Sequence, residues 1–161
     1  MALVRRWIYP PDWDDTNPGD GEDQVNVFYG KRRYVLHLQK YWAATEDFDK
    51  QMMVDLSNMR GPSGEVALRT VIEKVDFQTF GVNVRLFWQT TPADVEICNI
   101  GSTGMSETGT IVGPMIDPRT GDGTDGSGDI LLSSVDGASK DSMDLKIYFR
   151  CKEDIKPSTN D

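Results

Sequence analysis

Residues 142–152, SMDLKIYFRCK, constrain the fold more than any other stretch of the chain. Met143, Leu145, Ile147, Phe149 and Cys151 fall on one face, and Asp144, Lys146, Tyr148, Arg150 and Lys152 on the other. Alternation at a period of two marks a strand with one side on a core and the other in water. The preceding GDILLSSVDGASK reads as a second strand and a polar turn. Much of the remaining chain is written the same way. The expected fold class is therefore all-β: an antiparallel β-sandwich, jelly-roll-like, with eight to ten short strands and little helix.

Turn formers divide the chain into an N-terminal arm or edge segment (1–24), a sandwich domain (25–152) and a flexible tail (153–161). Leu3, Val4, Trp7, Ile8 and Tyr9 form a short apolar segment, which Pro10-Pro11 and the acidic DWDDTNPGDGEDQ bring to an end. Two readings fit it: a first strand on the sandwich edge, or an arm docking on a neighbouring subunit. Alternation across 25–39 predicts a hairpin turning at Gly30-Lys31, and residues 41–50 suit either a short helix or a loop. Val66–Phe77 and Val82–Trp88 read as the strongest hairpin, with Gly81 free to take positive φ in its turn. The phase of the first of these strands breaks near Glu73, through a bulge or through burial on both faces. Further strands are expected at Asp94–Ile100 and Thr110–Ile116.

With 161 residues, 38% of them hydrophobic, the chain suits one core. A formal net charge of −9 disfavours phosphate backbones and anionic membrane surfaces as partners. Arg5, Arg6 and Lys31–Arg33 are the only local basic clusters. No apolar run approaches the ~20 residues of a membrane span. The N-terminal sequence lacks the pattern of a secretory signal, so synthesis in the cytosol is expected. The only cysteines, Cys98 and Cys151, lie at or near core phase, where free thiols are expected.

Nothing marks a catalytic centre, so no enzyme activity and no cofactor are expected. Asp117, Asp122, Asp125 and Asp129 sit among glycines, but their spacing matches neither an EF-hand nor a calcium-binding β-helix. A solvated, turn-rich loop is the expectation there, with metal binding as the lesser reading. His37 is the only histidine, and no nucleophile motif accompanies it. A surface or edge position is expected for it. Trp88 is in core phase, whereas Trp7, Trp13 and Trp42 lie outside clean alternation. Such residues either anchor an interface or close the open ends of a sandwich.

The segment TVIEKVDFQTFGVNVRLFWQTTPADVEICNIG, a Gly-rich loop and the ending GDILLSSVDGASKDSMDLKIYFRCK resemble virion structural proteins of tailed bacteriophages. The similarity is to the β-sandwich accessory proteins that decorate or cement icosahedral heads. It covers roughly residues 50–152 as a strand-and-turn pattern, without a diagnostic motif. The acidic N-terminal loop has no counterpart in it. The resemblance implies a non-enzymatic subunit on the virion surface, made in the host cytoplasm. Its partner would be the major capsid protein, with homo-oligomer contacts on the shell. Trp7, Tyr9 and Trp13 are the expected anchors, with Arg5 and Arg6 as charged contacts. A neck or tail component and a carbohydrate-binding module are the alternative roles.

Overall fold

The computed structural model describes residues 3–9, 33–59, 69–120 and 124–152. Among these described residues lie nine strands: β1 (Val4–Tyr9), β2 (Arg33–Tyr41), β3 (Gln51–Val54), β4 (Arg69–Phe80), β5 (Asn83–Trp88), β6 (Val95–Ile100), β7 (Ser106–Ile116), β8 (Ile130–Val135) and β9 (Ser142–Lys152). A larger sheet runs β1-β2-β9-β4-β7 and a smaller one β3-β8-β5-β6. Every pairing is antiparallel. The all-β sandwich expected from the alternation is what forms.

From β2 onward the strands nest. β2 pairs with β9, β3 with β8, β4 with β7 and β5 with β6. The chain is one long hairpin, rolled so that successive pairs lie alternately in the larger and the smaller sheet. This corrects two local expectations. β4 and β5 do not form a hairpin, because they belong to different sheets, and neither do β8 and β9. Gly81 does take positive φ, at 83°, and its N–H donates to the Met105 carbonyl at 2.8 Å. A Cβ there would overlap the carboxylate of Asp141. The turn therefore carries the chain across the sandwich instead of back along its own sheet.

The phase break in β4 is a bulge. The register shifts between Ile72 and Lys74 against both β7 and β9. Thr70 and Ile72 point inward before it, and Val75 and Thr79 after it. The inner face of β9 is as expected, with Leu145, Ile147 and Phe149 fully buried. Each such side chain contributes roughly 1.5–3 kcal/mol of burial energy. Val84, Leu86, Trp88 and Leu132 meet them from the smaller sheet. The Trp88 indole N–H donates to Thr70 Oγ1 at 3.1 Å and ties the two sheets together.

Residues 41–50 contain no helix. A single 3-10 turn, Leu56–Asn58, follows β3 instead, capped by Asp55, whose Oδ1 accepts from Ser57 N–H. Of the hairpin expected across 25–39, residues 25–32 lie outside the described residues. Neither cysteine is in a disulfide, and both are buried.

Candidate partner-binding site

The segment singled out in the sequence is β1, an edge strand of the larger sheet. It pairs Val4 with Gln39, Arg5 with Leu38, Arg6 with His37 and Trp7 with Leu36. The register then shifts, so that Tyr9 lies opposite Val35. Arg5 and Trp7 thus face the core side, and Val4, Arg6 and Tyr9 the outside. Of the two readings of this segment, residues 4–9 follow the edge strand.

Burial separates the expected contacts. Trp7 is only 8% exposed and packs edge-on against Tyr34, with ring centroids 5.7 Å apart, and against Phe149 at 5.8 Å. This corrects its expected role as an interface anchor: the indole is spent closing the core. Trp42 is likewise fully buried, its N–H donating to the Glu46 carbonyl at 2.7 Å. Arg5 is also engaged inside. Its Nε–H donates to the Met53 carbonyl at 2.6 Å, linking β1 to the smaller sheet, and its guanidinium lies 5.6 Å from the Trp7 ring. Trp13 lies outside the described residues.

Tyr9 remains exposed, at 51%. Val4 and Ile8 join it as exposed apolar side chains on the same strand. Alternation could have flagged Val4, but Ile8 depends on the register shift, which has no sequence signature. Among the described residues β1 therefore presents an apolar rim beside backbone groups that have a strand on one side only. Such an edge can accept another strand or a docking surface.

Arg6 holds the outer side of this strand in place. Its guanidinium lies 3.2 Å from His37 Nδ1, and His37 Nε2 lies 2.8 Å from Asp144 Oδ1. A guanidinium only donates, so Nδ1 accepts and Nε2 carries the proton given to Asp144. Asp144 Oδ2 accepts from Gln39 at 3.0 Å. His37 is 6% exposed beneath this network, which corrects its expected surface position. It is flanked by side chains of the two neighbouring strands, Arg6 of β1 and Asp144 of β9. Both ring nitrogens are occupied, which leaves none to draw a proton from a nucleophile.

The acidic loop is bonded to itself. Asp117 and Asp129 are buried rather than solvated, which corrects half of that expectation. Arg119 donates to Asp117 at 2.8 Å and to the Gly126 carbonyl at 2.8 Å. Asp129 Oδ1 accepts from Leu56 N–H at 2.8 Å, and Asp125 accepts from both Thr120 groups. Burial pushes the Asp129 carboxyl above the ordinary carboxylate value, opposed by the Leu56 N–H. Among the described residues no group of three or more His, Cys, Asp or Glu side chains is placed to hold a metal ion. Cys98 is pushed up to about 12 by burial and by the charge of Glu96, so its thiol stays protonated at neutral pH.

Three cavities open near these elements. One of about 430 Å³ lies at the mouth of the sandwich between β1 and β3, lined by Leu3, Arg5, Lys40, Phe48 and Met52 among others. Lys40 is buried there, paired with Glu46 at 2.7 Å and 5.4 Å from the Phe48 ring centroid. Cavities of about 370 and 500 Å³ lie on the outer face of the larger sheet. Compared with models of known protein families and with the curated proteins, the chain matches none of them.

Proposed function

We propose that this chain is a non-enzymatic structural protein of a tailed-phage virion, one that binds the outer surface of the major capsid protein and stabilises the head. The rolled hairpin is read as a jelly roll, a connectivity that viral capsid domains share with lectins. Fold alone does not assign a role, so the reading rests on a surface. That surface is the rim of β1, where Val4, Ile8 and Tyr9 are exposed on an edge strand pinned by Arg5 and Arg6. Apolar area removed from water supplies ~25 cal/mol per Å² before the entropic cost of association. Repetition of the same site over a symmetric shell makes a modest contact consequential. Tyr9 replaces Trp7 as the principal anchor, since Trp7 is buried and Tyr9 is exposed to enter a pocket on a partner.

The test is co-sedimentation with purified heads. The double variant Ile8→Asp/Tyr9→Asp is expected to keep the parent's melting temperature and to lose attachment, because both side chains lie outside the core. Attachment equal to the parent's would overturn the reading. A particle reconstruction with density in a single ring at the portal vertex, rather than over the shell, would move the protein to the neck or tail.

A further inference from the structure

The outer face of the larger sheet carries a groove whose floor follows the strand register. One cross-strand row places Tyr41, Ser142, Phe80 and Ser106 side by side on β2, β9, β4 and β7. With strands about 4.8 Å apart, the two aromatic residues stand about 10 Å from each other across the small side chain of Ser142. Tyr41 is 48% exposed and Phe80 50%. The next row on this face is Gln39, Asp144, Gln78 and Thr108, and the one after it His37, Lys146, Asp76 and Thr110. The two outer cavities meet along these rows, sharing Gln78 and Asp144.

Three properties of this groove select a ligand. Its charges cancel: Lys74 and Lys146 stand against Asp76 and Asp144, so it neither attracts nor repels an ion strongly. Its polar side chains are only partly used. Among the described residues, Gln78, Thr108, Ser142 and Lys146 show no side-chain hydrogen bond or ion pair, so an amide, two hydroxyls and an ammonium stay open to a ligand. An apolar protein surface pressed onto these rows would strip water from groups it could not satisfy. A chain of hydroxyls would satisfy them. The third property is a pair of half-exposed rings, Tyr41 lining the smaller cavity and Phe80 beside it in the same cross-strand row, whose faces suit the C–H faces of pyranose rings.

We propose that this groove binds a neutral, extended glycan chain. Tyr41 and Phe80 stack on two sugar rings separated along the chain, and Gln78 and Asp144 hold hydroxyl groups between them. The groove adjoins the capsid-docking rim at Val4, which lines the smaller outer cavity, but Ile8 and Tyr9 line neither cavity, so variants at those two residues test the rim alone.

The test titrates cellohexaose and chitohexaose into the purified full chain by calorimetry, with backbone amide shifts followed in parallel. Saturable binding of at least one is expected, with a dissociation constant below about 1 mM and shifts centred on β2, β9 and β4. Tyr41→Ala and Gln78→Ala should each weaken it about tenfold. Ile116→Ala, an exposed substitution on the same sheet beyond the groove, should leave it unchanged. Gln78→Ala removes an exposed side chain, so its melting temperature should match the parent's and report binding alone. The proposal is overturned by the absence of heat and of shifts with both sugars at about 10 mM. Affinity unmoved by either groove variant, or shifts confined to β1 or to the smaller sheet, would overturn it equally.

Discussion

β9 and β7 have the same length, 11 residues, and lie in the same sheet, yet they occupy different environments. β9 runs between β2 and β4. Its inner side chains are all nearly or fully buried. Among the described residues β7 has β4 on one side only, and its inner-phase Ile111 and Met115 are only partly buried, while Val112 on its outer face is 77% exposed. The period of two assigns each residue to a face, but the number of neighbouring strands decides how deep that face lies. β7 can even accommodate Pro114, which an edge strand tolerates and a central one does not.

The sharpest way to break this contrast is truncation on both strands. Phe149→Ala should lower the unfolding free energy by ~3–5 kcal/mol, because it empties a site stacked against Tyr34 at 5.2 Å. Val112→Ala should change it by less than ~0.5 kcal/mol. Similar values for the two in urea titrations would mean that β7 is covered in solution.

A smaller effect is expected where the chain leaves the larger sheet. Gly81→Ala should cost ~1–3 kcal/mol in the same titrations, since alanine resists φ near 83° and its Cβ meets Asp141. A neutral result would show that the crossing between sheets relaxes easily.

The smallest effect concerns the loop between β7 and β8. The folded Asp129 carboxyl holds its proton more tightly than the unfolded one, through burial first, with the Leu56 N–H and the Ser127 hydroxyl opposing. Its contribution to stability is therefore fully present below the ordinary value of 3.8 and is lost as pH rises through the raised one. Asp129→Asn keeps an acceptor for Leu56 N–H and has nothing to ionise. Its stability should fall less steeply over that window, as followed by denaturation at a series of pH values. An unchanged slope would assign the pH dependence to other carboxylates.

These contrasts show what was legible before the structure. The faces of β9, the break of phase near Glu73 and the positive φ of Gly81 all follow from local pattern, because pleat and backbone sterics act over a few residues, whereas the choice of a bulge over burial on both faces needed the register. Pairing does not. β4 and β5 look like a hairpin because they are adjacent in sequence, yet their hydrogen-bond partners come from β9, β7, β8 and β6. The candidate site suffered for the same reason. Trp7 enters the core only because Tyr34 and Phe149 arrive from distant segments, and His37 is buried only because Arg6 and Asp144 flank it. Tyr41 and Phe80 gave no hint of being two strands apart on one face.

The nesting of strands also bears on synthesis. Of the strands among the described residues β9 leaves the ribosome last, yet it stands at the middle of its sheet, bonded to both β2 and β4. A nascent chain halted before Ser142 holds two strands whose hydrogen-bonding rims face a missing centre. Such rims invite intermolecular pairing while translation is unfinished. The protein is thus most vulnerable to aggregation just before β9 emerges, and a stop codon just before Ser142 should be more damaging than loss of the first few residues.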